Sequence, residues 1–211
     1  MSKHSSPALQ HDLDRSLVLC AELGEFAQCG SLLAQGADPK NQESRALQKA
    51  ATNGRADCVE LLIPLSDPRA ANSGSLRWAA ARGHVECVKL LIPVSDPKAI
   101  DSDALRWAVA HGHVECAKLL LPFSEPKADM LLSAANFGRS ECVALLSEHA
   151  PHLFNQAHIS SLAKSASSCG YCDLAAFILA IGERLSLAAR LDLDAFPPSP
   201  DRRSSTPAQR L

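Results

Sequence analysis

Two nearly identical stretches decide the fold: LRWAAARGHVECVKLLIPVSDPK at Leu76–Lys98 and LRWAVAHGHVECAKLLLPFSEPK at Leu105–Lys127. They lie 29 residues apart and differ at only six of 23 positions. A third copy, Leu47–Arg69, precedes them at the same spacing and shares 13 of the 23 residues with the first. A fixed period of about 20 to 50 residues is typical of stacked repeats. The sequence therefore predicts a chain of similar units, each packed on the next.

Each copy predicts a pair of helices. Leu76, Ala79 and Ala80 form an apolar stripe at helical spacing. Glycine ends a helix readily because it accepts the left-handed backbone, and one follows the stripe in all three copies: Gly54, Gly83 and Gly112. Pro93 ends the second helix, because proline disfavours helix at the residue before it. A serine precedes each first helix and is predicted to be its N-cap: Ser44, Ser73 and Ser102.

The run Ala79–Leu91 (AAARGHVECVKLL) resembles the ankyrin repeat pattern AAxxGHxEVVxLL, and Leu32–Pro39 (LLAQGADP) resembles the end of the same repeat. The resemblance covers roughly Asp12 to Ile181 and implies an all-α, ankyrin-like solenoid of helix-turn-helix repeats. Two features depart from the family. The repeat has 29 residues instead of about 33, and Ser75-Leu76-Arg77 stands where the family has Thr-Pro-Leu-His. Both differences fall in the β-hairpin finger, so we expect truncated fingers.

The repeat pattern sets the expected domain organisation. Five to six repeats are expected within residues 12–190, with the first acting as a cap whose outer side faces water. Residues 1–11 lack periodicity and are expected to form a disordered tail. Residues 191–211 are rich in proline and serine and are expected to form a second one.

Composition limits the possible partners. A formal net charge of −2 gives no reason to expect nucleic acid as a partner. No apolar stretch approaches the roughly 18–20 residues that cross a bilayer, and no apolar run follows Lys3 as a secretory signal would require. We therefore expect a monomeric cytoplasmic protein without membrane insertion, and delivery into a host cell stays open.

The spacing of the cysteines argues against disulfides. Cys58, Cys87 and Cys116 lie 29 residues apart, which predicts one small buried thiol in each repeat. Cys169 and Cys172 form the one Cys-x-x-Cys and leave an alternative open, a thiol-redox or zinc-binding protein. A zinc site needs about four ligands, and only a distant histidine is available, so two incidental thiols are favoured.

Neither a metal site nor a catalytic site is predicted elsewhere. His111 and His113 resemble a metal-binding pair. However, His84 shares the phase of His113, and both match the ankyrin Gly-His turn, in which the imidazole binds backbone. The sequence has no Gly-rich phosphate loop, no nucleophile elbow and no carboxylate pair on a periodic scaffold. Because an active site needs convergent polar groups, we expect no enzymatic activity and no cofactor.

The candidate binding residues lie on the first helices. Trp78 lies about 200° around the helix from Leu76, opposite the buried stripe. Stacking the repeats produces two rows that we call the inner face: Lys49, Trp78, Trp107 and Ser133, beside Asn53, Arg82, His111 and Phe137. In ankyrin-like stacks this face is concave and contacts a protein partner, which implies a scaffold, adaptor, inhibitor or effector. Tryptophan and arginine are enriched in binding hot spots.

A packing role for the two tryptophans is the alternative. With a shortened finger, three apolar side chains need cover, and the indoles could fold over them: Leu65, Val94 and Phe123. The sequence favours neither role of Trp78 and Trp107.

Overall fold

The computed structural model describes residues 7–194, and the remainder of both expected tails lies outside the described residues. Within this range the chain forms twelve α-helices and no β-strand. The helices are α1 (Pro7–Leu23), α2 (Phe26–Ala34), α3 (Asn41–Thr52), α4 (Ala56–Leu62), α5 (Ala70–Arg82), α6 (Val85–Leu91), α7 (Ala99–His111), α8 (Val114–Leu120), α9 (Ala128–Asn136), α10 (Ser140–His149), α11 (Gln156–Ser168) and α12 (Cys172–Asp194). Short 3-10 turns occupy Leu121–Phe123 and Pro151–Leu153.

The helices form two layers. The first helix of each pair contacts the first helix of the next pair, from α1 through α3, α5, α7 and α9 to α11. The second helices contact one another in the same order, from α2 through α4, α6, α8 and α10 to α12. We call the first set the inner helices and the second set the outer helices. The predicted all-α stack of helix pairs is confirmed, and no strand of a finger occurs between residues 7 and 194.

Leucine and alanine fill the space between the layers. Equivalent leucines of five inner helices are completely buried: Leu17, Leu47, Leu76, Leu105 and Leu131. The alanines of the predicted stripe, such as Ala79 and Ala80, are equally buried. Small side chains at these positions let neighbouring helices approach closely, since the interaxial distance depends on the side chains at the contact. The core is therefore continuous from one repeat to the next.

The predicted helix-ending glycines are confirmed, with positive φ at Gly54, Gly83 and Gly112. Gly83 has a φ of 75°, and a Cβ there would lie only 2.5 Å from Nδ1 of His113. The next repeat's imidazole thus covers the glycine, and its Nε2 lies 3.1 Å from the Ala81 carbonyl oxygen. His84 makes the same contact one repeat earlier, 3.0 Å from the Thr52 carbonyl oxygen. These histidines bind backbone, as the resemblance implied.

The predicted N-caps were wrong. None of the three serine side chains caps its own helix. Instead, the hydroxyl of Ser73 accepts a 2.9 Å hydrogen bond from the backbone N–H of Asp96, in the loop that follows α6. Ser44 and Ser102 accept equivalent bonds of 2.8 and 3.0 Å. In the first repeat, Asp14 takes the serine's place and accepts from the N–H of Asp38.

The serine is free for this role because it ends a left-handed turn. Three consecutive residues have left-handed dihedral angles at the start of each repeated inner helix: Gln42–Ser44, Ala71–Ser73 and Ile100–Ser102. L-residues pay about 1–2 kcal/mol each for this conformation. The turn directs the serine hydroxyl to the loop that follows the outer helix of the same pair.

The ends of the stack differ from the expected boundaries. The first helix begins at Pro7, so residues 7–11 are helical where a tail was expected. The last helix runs to Asp194, and the described range holds six helix pairs. Ile178 and Ile181 of α12 are buried and close the core at this end.

Candidate interaction face

Both tryptophans lie at the surface. The exposed fractions of Trp78 and Trp107 are 47% and 44%. Of the three side chains that the packing alternative would cover, Leu65 and Phe123 remain 42% and 51% exposed, whereas Val94 is partly buried against the core. The exposure of Leu65 and Phe123 does not favour the packing alternative.

Trp107 is held in place by its own helix. Its indole Nε1 donates a 3.1 Å hydrogen bond to Oδ2 of Asp103, one turn earlier. The imidazole of His111, one turn later, stacks on the indole with ring centroids 5.3 Å apart. Its Nδ1 also lies 2.9 Å from the Trp107 carbonyl oxygen. The indole is therefore oriented before any partner arrives.

Trp78 lacks these restraints, because the equivalent positions are Gly74 and Arg82. Two nearly identical repeats thus present one fixed and one freer indole on the same face. Of the six differences between the copies, only Arg82 and His111 lie on the inner face, and they decide which tryptophan has a stacking partner.

Asp103 links two repeats and was missed in the sequence. Its carboxylate is 3.2 Å from Nη1 of Arg77 on α5 and 3.9 Å from Nη1 of Arg106 on α7, and its side chain is only 12% exposed. Arg106 also pairs with Asp129 on α9 at 3.4 Å. A signal was present in the sequence, since an aspartate stands four residues before Trp107 where the preceding repeat has glycine.

An open groove of about 310 Å³ lies between α3 and α5. It brings together three of the predicted residues, Lys49, Trp78 and Arg82. Its other lining residues were not predicted, because they lie beside the rows instead of on them: Arg45, Gln48 and Thr52. Lys49 pairs at 3.1 Å with Glu22 of α1. The groove combines an indole, three cations and two polar side chains.

Other predicted residues of the inner face lie outside this groove. Asn53 donates to the carbonyl of Lys49 in its own helix, and the hydroxyl of Ser133 donates to the carbonyl of Asp129. Phe137 is 54% exposed. Two exposed leucines extend the rows into α1 and were also missed: Leu19 and Leu23, 56% and 53% exposed.

A second cavity, of about 180 Å³, lies between α9 and α11. Most of its wall is apolar and consists of one alanine and three leucines: Ala128, Leu131, Leu132 and Leu162. Asp129, His158 and Ser161 complete the wall. Leu132 is 40% exposed at its mouth. Leu132 replaces the arginine that α5 and α7 carry at this position, so the surface changes from basic to apolar along the stack.

The cysteines divide into two classes, and all eight are free thiols. Six are buried, and burial raises the pKa of the thiols of Cys87, Cys116 and Cys142 to about 11. Cys169 and Cys172 are exposed. Among residues 7–194, no group of three or more histidine, cysteine or carboxylate side chains is arranged to hold a metal ion. The zinc alternative for Cys169 and Cys172 therefore finds no support.

His111 and His113 stack with ring centroids 6.1 Å apart, and burial lowers the pKa of His113. Each ring has a backbone carbonyl as its partner, so both imidazoles bind backbone. In the described part of the chain, no helix combines the length and apolarity that a membrane span requires.

Comparisons with known proteins agree with this architecture. The sequence matches the family described as ankyrin repeats (3 copies) over residues 17–101 and 66–130, which together exceed half of the chain. Among solved structures, the human ASB11 ankyrin repeat domain is similar, with a TM-score of 0.57 and 22% sequence identity. The match covers 64% of this chain and 68% of that one. A comparison with curated protein sequences found no match. The chain belongs to the ankyrin repeat family.

Proposed function

We propose that this protein is a non-enzymatic interaction module that binds a protein partner through its inner face. Ankyrin repeats are generally protein–protein interaction modules. The observation that carries the proposal is the exposure of Trp78 and Trp107 on neighbouring inner helices, with Trp107 oriented by Asp103 and His111. An exposed indole held in one orientation loses little conformational entropy on binding, and such side chains dominate the energetics of interfaces.

The whole face contributes to this function. Arg82 and Lys49 flank Trp78 in the groove, while Asn53, Ser133 and Phe137 supply the margins. We propose that the protein acts as a scaffold, adaptor, inhibitor or effector, as a cytoplasmic monomer. Sedimentation of the purified chain tests the monomeric state.

The test compares two double variants. Trp78→Ala with Trp107→Ala removes both indoles of the inner face. Leu65→Ala with Phe123→Ala removes two equally exposed apolar side chains outside the face and serves as the matched control. Affinity capture from native lysate, followed by titration of the captured protein, measures binding, and thermal melting measures stability.

We expect the tryptophan pair to weaken binding about 30-fold or more, the range of interface hot spots, with the melting temperature nearly unchanged. The control pair should bind like the unmodified chain. Equal binding by the tryptophan variant, or loss of binding only in the control, contradicts the proposal.

A further inference from the structure

Basic residues predominate on two neighbouring inner helices, and carboxylates predominate on four outer helices. Helices α3 and α5 carry four basic residues (Arg45, Lys49, Arg77 and Arg82) and one carboxylate, Glu43. The outer helices α4, α6, α8 and α10 carry six carboxylates and only two lysines: Asp57, Glu60, Glu86, Glu115, Glu141 and Glu148, with Lys89 and Lys118. A chain with a net charge of −2 thus concentrates positive charge on one part of its inner layer.

The groove between α3 and α5 is the centre of this positive region. No carboxylate is among the residues that line it. Within residues 7–194, neither Arg45 nor Arg82 has an ion-pair partner, in contrast to Arg77 and Arg106. Lys49 has Glu22, but both side chains are more than one-third exposed, and a surface pair of this kind contributes only about 0–1 kcal/mol. The groove therefore offers three cations to an incoming anion.

The far end of the same layer offers an apolar site. The cavity between α9 and α11 has three leucines in its wall, and Asp129 is its only acidic lining residue. From the first groove to this cavity is three inner-helix spacings, about 24–30 Å at about 8–10 Å each. An extended peptide covers this distance with about seven to nine residues, at about 3.3 Å per residue.

We propose that the inner face binds an extended acidic segment of its protein partner. Carboxylates of the segment lie over the groove formed with Arg45, Lys49 and Arg82, and an apolar side chain about seven to nine residues away fills the cavity beside Leu132. Trp78 contacts the segment at the groove, and Trp107 contacts the stretch between the groove and the cavity. The acidic outer helices repel the same segment, so that the electrostatic field directs it to the inner layer. This inference rests on the proposed function and specifies the chemistry of the partner.

A peptide fits this surface better than a nucleic acid strand. A strand carries a phosphate at every nucleotide, whereas no lysine or arginine is among the residues that line the apolar cavity. Further along, Asp103 neutralises Arg77, and the side chain of Asp129 is 53% exposed beside the apolar cavity. Phosphates at that end would meet a carboxylate and leucines.

The experiment selects displayed random peptides of about twelve residues against the full chain. Peptides that bind should carry two or more acidic residues at one end and a leucine, phenylalanine or similar residue at the other. The charge-reversed variant Arg45→Glu with Arg82→Glu should bind these peptides at least about tenfold more weakly. Selection of random peptides against this variant should enrich basic peptides in place of acidic ones. The matched control is Lys89→Glu with Lys118→Glu, which makes the same change on the outer helices and should leave binding unchanged.

Selected peptides without an excess of acidic residues overturn the inference, as does acidic-peptide binding that Arg45→Glu with Arg82→Glu leaves intact. A fluorescent single-stranded oligonucleotide that binds more tightly than the best peptide at the same ionic strength also overturns it. If no peptide is enriched while a captured protein still depends on both tryptophans, the acidic-segment inference fails and the proposed function stands. If enriched peptides bind the Trp78→Ala, Trp107→Ala chain equally well, the proposed binding role of the inner face is contradicted as well.

Discussion

The indole Nε1 of Trp107 donates to Oδ2 of Asp103 at 3.1 Å, and the same oxygen lies 3.2 Å from a guanidinium nitrogen of Arg77 in the preceding repeat. One buried carboxylate therefore fixes a surface side chain and joins two helices. The orientation of the most restrained residue of the inner face depends on contact between neighbouring repeats.

Replacing Asp103 should release this indole. In a Trp78→Phe background, where Trp107 is the only tryptophan, Asp103→Ala should increase the quenching of its fluorescence by acrylamide. It should also lower the free energy of unfolding by about 1–3 kcal/mol, because Arg77 and the indole N–H lose their partner. Glu60→Ala, which removes an exposed carboxylate that has no ion-pair partner among residues 7–194, is the control. Unchanged quenching in the Asp103 variant would show that the hydrogen bond does not orient the indole.

Removing the serine hydroxyl that bonds the loop after the outer helix should cost stability. Ser73→Ala leaves the N–H of Asp96 without its acceptor, so urea denaturation should show a loss of about 0.5–1.5 kcal/mol. Ser44→Ala and Ser102→Ala should cost similar amounts, since the three bonds are equivalent. Ser160→Ala, whose exposed hydroxyl bonds only within its own helix, should have little effect. A Ser73→Ala chain as stable as the unmodified one would rule out this role.

Glycine should be preferred to alanine in the left-handed turn. Ile100 has a φ of 48° and is 49% exposed, so little packing is lost on its replacement. Ile100→Gly should be more stable than Ile100→Ala by about 1 kcal/mol, because only glycine adopts this backbone without a steric cost. At Lys164, inside a regular helix, the order should reverse, with alanine better by about 1 kcal/mol. The same order at both sites would contradict the left-handed turn.

Stability should fall at alkaline pH. Burial raises the pKa of Cys87 and Cys116 from 9.0 to about 11. The folded chain thus keeps these thiol protons while the unfolded chain loses them, and stabilisation that is complete below pH 9 is lost as the pH rises towards 11. Each thiol contributes at most about 1.4 kcal/mol per pH unit. Urea denaturation between pH 8 and 10.5 measures the slope. Cys116→Ala should reduce it, and Cys169→Ala, at an exposed position, should not.

The repeats, the helix pairs and the position of the inner face could all be predicted because they follow from periodicity. The apolar spacing of Leu76, Ala79 and Ala80 fixes which side of the helix is buried, and a 29-residue period aligns Trp78 with Trp107. Gly83 and Gly112 could be identified as helix ends from the sequence, since few other residues tolerate a left-handed backbone. These features are repeated or local, and one sequence contains all the information they need.

What could not be predicted depends on geometry between helices. Ser73 has the sequence context of an N-cap, yet the left-handed turn places its hydroxyl against the loop that follows α6, and no local propensity signals three left-handed residues in succession. Asp103 acts through partners on two helices. Arg45 lies beside the rows of the inner face and becomes part of the groove only when α3 and α5 stand side by side.

The contacts made by the turns have a consequence for the length of the protein. His113 belongs to the unit that follows Gly83, and His84 contacts Thr52 of the unit before its own, so each of these units takes part in one contact with each of its neighbours. A 29-residue module copied in frame would therefore carry the contact residues that both of its neighbours require. The array can therefore be extended or shortened by whole modules without a new kind of contact between units. A chain engineered with an additional copy of residues 76–104 should remain folded and gain one more binding position.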